Sequence, residues 1–334
     1  MKWINIFLIS LSIIVNSCTK NPLDVVPQNK KLPISFIRLD SIIRNSNKEE
    51  IKKFLFKIQI KHQEIIQYQL QYCLGIGSII DSSTLNGIEL FKKDPYISRL
   101  ENVIQKNFSS LNEIQKKVKN GFLYLNYHFP ESSLPQSIFF INSFFSSNVY
   151  VGEKDIAIGL ERYLGPNEQV IKELPSKEFH SWIKNRMLRI YLERDVLSAW
   201  ILTHLVKEDN EHFASQMIRW GKIHYFTEAS FPAMEKELIL RYTKEQFVWC
   251  EKNEKEIWKH LVKYNLLFSK NVRDISNFMN DAPFTSGLDK NSPDRVGQYL
   301  GWKIIHSFMK QHPKTPLKKL LKLPFNEIMK NYEQ

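Results

Sequence analysis

The chain is 334 residues long, 43% hydrophobic and 25% charged, with 11 Gly, 14 Pro and 22 Phe; this globular composition excludes collagen-like, low-complexity and mostly disordered chains. Its three cysteines exclude a disulfide scaffold, and its length allows one large domain or two smaller ones. The formal charge of +12 is mostly lysine, 36 Lys against 11 Arg, so it describes a basic solvated surface rather than bidentate forks built for phosphates or base edges.

The N-terminus carries the most specific signal. Lys2 supplies a positive start, and residues 3–15 form a largely apolar segment of thirteen residues. That is the length of a signal-peptide core and too short for a membrane span, which needs about 20 apolar residues. Val15-Asn16-Ser17-Cys18 follows at once and is similar to a bacterial lipobox. A small residue before the cysteine admits the peptidase to the Ser17–Cys18 bond, and the Cys18 thiol carries the lipid. Two or more acyl chains anchor durably where one binds only marginally. The expected order is a signal peptide over 1–17, a tether over 18–33 and a single globular domain over 34–334. Export removes nucleic acid as a partner and leaves the membrane, through acyl chains, as the first one, with the chain facing the periplasm from either membrane. Cys73 and Cys250 remain after lipidation; an oxidising compartment permits a bridge, and two buried thiols are the favoured state.

Along the mature chain, residues 47–74 read as helix from Ile51, Leu55, Ile58 and His62, and residues 73–87, rich in Gly and Ser, read as a loop. Residues 95–127 predict a helix pair with Leu100, Ile104, Phe108 and Leu111 as the buried stripe. Three β-like runs follow, 138–141, 149–151 and 156–160, the last two joined by the turn residues 152–155; Ile156, Ile158 and Leu160 alternate as in a half-buried strand. From Ser176 onward the chain reads as nearly all helix. Leu197, Ile201 and Leu205 mark one helix, residues 211–227 another, and Thr243-Lys-Glu-Gln246 a capping box opening a third. Ser292-Pro293 reads as an N-cap with proline at N1, and residues 316–332 as a final basic helix. The class is α+β, predominantly helical, with one small sheet of about three short strands.

Catalytic patterns are missing. None of the nine histidines forms His-Glu-x-x-His, which would place two imidazoles and a base on one helical face, and His204 and His212 stand on either side of a break. There is no Gly-x-Ser-x-Gly elbow and no phosphate-cradling glycine loop. Cys250 sits beside Phe247, Val248 and Trp249 and reads as a buried thiol. Glu161-Arg162 and Glu193 with Asp195 could supply paired carboxylates, but read as a solvated face or salt-bridged rim. Gly297 and Gly301 share one helix face and predict close helix packing in the core. Residues 281–287 are a loop that could carry binding residues. The expected catalytic, metal and cofactor sets are therefore empty.

Several segments taken in order carry a resemblance: Tyr163-Leu-Gly165, Met217-Ile-Arg-Trp-Gly-Lys222, Thr243-Lys-Glu-Gln-Phe-Val-Trp-Cys-Glu-Lys-Asn-Glu254, Ile257-Trp258, Ala282-Pro-Phe284 and Ser292-Pro-Asp-Arg-Val-Gly-Gln-Tyr-Leu-Gly-Trp302. With the lipobox, they resemble the gliding-motility lipoprotein GldB family of the Bacteroidetes, most strongly over 121–332. The resemblance implies a membrane-anchored, non-enzymatic accessory with protein partners in the gliding and associated secretion apparatus. The region also looks distantly similar to zinc-peptidase-like domains. There the ligand helices correspond to Asp195-Val-Leu-Ser-Ala199 and to Trp220 before Gly221, neither of which keeps a ligand. An exported hydrolase and a ligand-binding lipoprotein unrelated to motility are the alternatives; clustered histidines and carboxylates would favour the first, an open apolar cleft the second.

Overall fold

The computed structural model describes residues 23, 25–28, 31–209, 211–330 and 332. Strand β1 (Ser35–Arg38) leads into α1 (Leu39–Asn45), α2 (Lys48–Gln67), α3 (Thr84–Lys93), α4 (Pro95–Asn107) and α5 (Asn112–His128). Strands β2 (Ser137–Ile141), β3 (Val149–Val151) and β4 (Asp155–Gly159) follow. The rest is helical: α6 (Gln169–Lys172), α7 (Ser181–Lys184), α8 (Leu192–Trp200), α9 (Phe213–Ser230), α10 (Lys236–Ile239), α11 (Lys244–Lys263), α12 (Val272–Met279), α13 (Val296–Gln311), α14 (Leu317–Lys322) and α15 (Phe325–Met329). The α+β class, dominated by helices, is the one expected. Among the described residues no helix is long and apolar enough to cross a membrane.

The sheet has four strands in the order β1-β2-β4-β3, not three. β1, β2 and β4 run parallel, and β3 is antiparallel at the edge. Ser35-Phe-Ile-Arg38 carries no turn signal or strong alternation; it becomes a strand by pairing with Ser137–Phe140, a contact a local pattern does not reveal. Nor is β4 half-buried. All five of its residues are buried, because helices cover both faces. Ile138, Phe140, Ile156 and Ile158 enter one core with α4, α5, α8 and α9, while Phe139, Ile141 and Ala157 enter a second with α1, α2 and α3. Each buried isoleucine contributes roughly 1.5–3 kcal/mol. Leu23 and Leu32, in the segment expected as tether, are buried in the first core.

Local chemistry sets the helix starts. Asn47 accepts from the N–H groups of Glu49 and Glu50 while Glu50 accepts from that of Asn47 at 2.9 Å, a reciprocal cap for α2. Asp94 and Pro95 start α4, and the expected Thr243–Gln246 box starts α11. Other boundaries differ from expectation. The expected loop over 73–87 ends early, because residues 84–87 already belong to α3, and the Leu197 helix gives way after Trp200 to a π-helical turn, Ile201–Leu205. Ser292-Pro293 does not cap α13, which begins at Val296. The Ser292 hydroxyl accepts from Thr285 N–H at 3.3 Å and the Pro293 carbonyl from the Thr285 hydroxyl at 2.7 Å, so both belong to the preceding loop. Left-handed Arg295, φ 53°, then turns the chain into the helix. The final basic helix is two short ones, split at Leu323-Pro324 because proline offers no N–H to continue the first.

The centre of the helical half is the crossing of α9 and α13. A methyl built on Gly221 or Gly301 would run into the facing backbone, at the Gly301 carbonyl or the Met217 carbonyl respectively. Gly297 packs against Met279 and Phe213, so the two spaced glycines of α13 serve close packing as expected.

Candidate functional site

Beside this crossing, at the end of the sheet where β4 stops and β3 begins, lies a cavity of about 580 Å³. Each wall comes from a different element. Asn148 and Val149 lead into β3, and Arg162 sits on the 3-10 turn after β4. α8 contributes Arg194, Asp195 and Ser198; α9 contributes Trp220 and His224; α13 contributes Gln298. Arg241 follows α10, Asp281 follows α12 and Arg295 caps α13. Four guanidiniums thus face two carboxylates, a formal excess of two positive charges.

The arginines are held in place. Arg194, with 8% of its side chain exposed, donates to the Ile239 carbonyl at 2.8 Å, to Asp195 at 3.0 Å and to His224 Nδ1 at 3.1 Å. Arg295 donates to Asp294 at 3.1 Å and to the carbonyls of Leu240 and Arg241, and lies over the Tyr242 ring. Behind it, Arg186 grips the fully buried Asp294 with two bonds of 2.6 Å. Burial pushes the Asp294 carboxyl up, but Arg295 and Arg186 outweigh this and hold it below its ordinary value. Burial lowers Arg194 and Arg162 from their ordinary values. Arg241 lies over the Tyr191 ring, donates to the Arg186 carbonyl at 3.2 Å and brings Nε to 3.3 Å from Asp195, yet that buried N–H has no directed acceptor. Arg241 and Arg295 have φ of 58° and 53°, left-handed conformations for residues with a Cβ. Such backbones cost about 1–3 kcal/mol each and gather at functional sites.

The groups that might do chemistry are already engaged. Asp195 accepts from Arg194 at one oxygen and from the Tyr163 hydroxyl at 3.0 Å at the other. Arg194 can only donate, so His224 Nδ1 is the acceptor and Nε2–H points to Gln298 at 2.8 Å. Burial, then the Arg194 charge, holds the imidazole well below its ordinary pKa. Ser198 therefore has no open base in the cavity. Among the described residues no three of His, Cys, Asp or Glu gather as metal ligands. What the arrangement offers is positive charge and N–H donors beside the apolar surfaces of Val149, Leu202, Trp220 and Met279.

Ser17 and Cys18, the expected cleavage and lipidation residues, lie outside the described residues. His204 packs against Trp200 with ring centroids 4.0 Å apart and bonds the Gly152 carbonyl. His212 caps α9, accepting from Ser215 N–H at 3.2 Å. Cys73 and Cys250 are buried free thiols. Glu193 is ion-paired, with the half-exposed Arg189 at 2.8 Å, but is itself buried. Asp195 and Glu161 do not sit on a solvated face. Asp195 enters the cavity, and Glu161, fully buried, accepts from the Ser143 hydroxyl and from the N–H of Phe145 at 2.9 Å. Asp281, from the loop singled out by composition, borders the cavity. Arg194, Arg241 and His224 lay in no motif that the sequence reading used, and Arg295 and Gln298 lay in the Ser292–Trp302 segment without being singled out as site residues. The available signal was scarcity: in a chain that prefers lysine, five of 11 arginines line this cavity or brace it.

A family model described as gliding motility protein GldB matches residues 20–333, extending the resemblance through the N-terminal helices. The comparisons with curated proteins and with solved structures give no match.

Proposed function

Because this chain belongs to the family of the gliding motility protein GldB, we propose that it is a lipid-anchored, non-enzymatic accessory of the gliding and associated secretion machinery. It is held in the cell envelope by acyl chains on Cys18 after cleavage at Ser17–Cys18 and faces the periplasm, with 34–334 as one GldB-like domain onto which the segment expected as tether, 18–33, packs Leu23 and Leu32. The observation that carries this reading is the family match over nearly the whole chain. The occupied hydrogen bonds of Asp195 and His224 support a cavity that binds rather than reacts. That cavity also favours a ligand-binding role, although its walls are charged where an apolar cleft was the expected sign.

The non-enzymatic part is tested by incubating the purified chain with peptide and ester substrates, with and without added zinc. The expected outcome is no turnover above the blank. Turnover abolished by Asp195→Asn would overturn it. Metabolic labelling with a palmitate analogue tests the anchor: label is expected on the wild type and absent from Cys18→Ala, and label retained by that variant would contradict the assignment.

A further inference from the structure

We propose that the arginine-lined cavity is a binding site for a small molecule bearing an oxyanion, a carboxylate or phosphate group of charge near −2. Arg162 and Arg241 make the direct contacts, and Arg194 and Arg295 supply fixed positive charge behind them. The inference rests on reading the cavity as a binding site rather than a reacting one.

The donor inventory separates the four arginines. A guanidinium carries five N–H groups. Arg194 and Arg295 each engage all three nitrogens with protein acceptors. Arg162 engages only Nε, on Asn148 at 2.7 Å, so its two terminal nitrogens meet no acceptor among the described residues. Arg241 leaves Nη1 without one and buries Nε without a directed bond. Two forks with vacant N–H groups thus border one open cavity, and paired N–H groups at fork spacing match the two oxygens of a carboxylate or phosphate.

Charge points the same way. Guanidiniums gathered in a partly desolvated space repel one another unless an anion compensates. Asp294 behind the wall is shared by Arg295 and Arg186, so with that pair included five guanidiniums meet three carboxylates, Asp195, Asp281 and Asp294, leaving an excess of two that a dianion would balance. A ligand cavity of about 300–1,000 Å³ suits a small molecule, and this one is about 580 Å³. Trp220, Leu202 and Met279 offer an apolar wall for the remainder of that molecule. The left-handed backbones at Arg241 and Arg295 fix where these side chains enter.

The test uses the full-length chain extracted in non-ionic detergent and titrated by calorimetry with inorganic phosphate, glycerol 3-phosphate, succinate and citrate, each against chloride of matched ionic strength. Saturable binding of at least one probe is expected. Arg162→Gln and Arg241→Gln should each weaken it about tenfold or more, Arg241→Lys should recover part of the loss, and the exterior change Lys303→Gln should leave it unchanged. If Arg241→Gln does not fold, Arg162→Gln carries the test, because its guanidinium makes one hydrogen bond, to Asn148, and otherwise lies over the Phe179 ring. No binding by any probe, or binding in both arginine variants as tight as in the wild type, would overturn the site. Phosphorus and carbon NMR of the mixture separates this from the non-enzymatic reading: an anion bound and recovered intact supports both, whereas an anion bound and consumed keeps the site and overturns that reading.

Discussion

Arg194 donates a hydrogen bond to His224 at 3.1 Å and thereby fixes that imidazole as neutral, with its remaining proton directed to Gln298. Gln298 in turn donates to the Met279 carbonyl at 2.6 Å, so one permanent cation on α8 orders a chain of polar groups through α9 and α13 to the end of α12. The relay holds Arg194 at the cavity and keeps the His224 imidazole, one of its buried groups beside Asp195, occupied on both nitrogens.

Acid should destabilise the fold through this relay. Burial and then Arg194 hold His224 far below its ordinary value, and burial holds His128 down at about 4. Both residues take up a proton near pH 6.5 when unfolded but not when folded. Their contribution is therefore complete above about pH 6.5 and is lost as pH falls below it, by about 1.4 kcal/mol per pH unit for each group. Burial raises the carboxyls of Glu101, to about 7, and Glu161, which adds an opposite slope in the same window, so the histidine share is read as a difference. Urea unfolding between about pH 7.5 and 5 should lose stability more steeply with falling pH in the wild type than in His128→Asn. An unchanged slope in that variant would contradict the assignment for His128.

The crossing of α9 and α13 allows almost no substitution. Gly301→Ala places a methyl into the Met217 carbonyl, and backbone cannot move aside as a side-chain tip can. We expect a loss of about 3 kcal/mol or more in unfolding free energy, or no folded protein. Gly165→Ala is the control: its glycine lies at φ 93° with open space around the missing Cβ, so it should show backbone strain without a clash, about 1–2 kcal/mol.

Both cysteines should be silent in the native state. Burial pushes the Cys73 thiol up to about 11 and raises Cys250 further, so neither forms a reactive thiolate near neutral pH. Thiol titration should find neither residue in the native chain and both after denaturation, without added reductant. A reductant requirement would reveal a bridge and contradict the buried free-thiol state.

The helical class, the helix pair before the sheet, the capping box at Thr243 and the packing role of Gly297 and Gly301 were legible because each depends on neighbours within a turn or two. β1 was not, since its partner lies about a hundred residues away. The cavity was hidden for the same reason. Arg162, Arg194, His224, Arg241 and Arg295 come from five separate segments, and no spacing rule joins them. Asp195 and Glu161 read as surface charges because sequence shows a carboxylate but not the donors that satisfy it once buried. Arg295 sat inside the Ser292–Trp302 segment that carries the family resemblance, yet its left-handed backbone and its Asp294 pairing appear only in the folded chain.

The central claim is that this chain works by holding partners at the membrane. Crosslinking in native membranes followed by recovery of the chain tests it most directly, with Cys18→Ala as the unanchored control. The account predicts gliding or secretion subunits crosslinked to the wild type and lost or weakened in Cys18→Ala. Recovery of the protein alone from an intact and abundant membrane pool would contradict it.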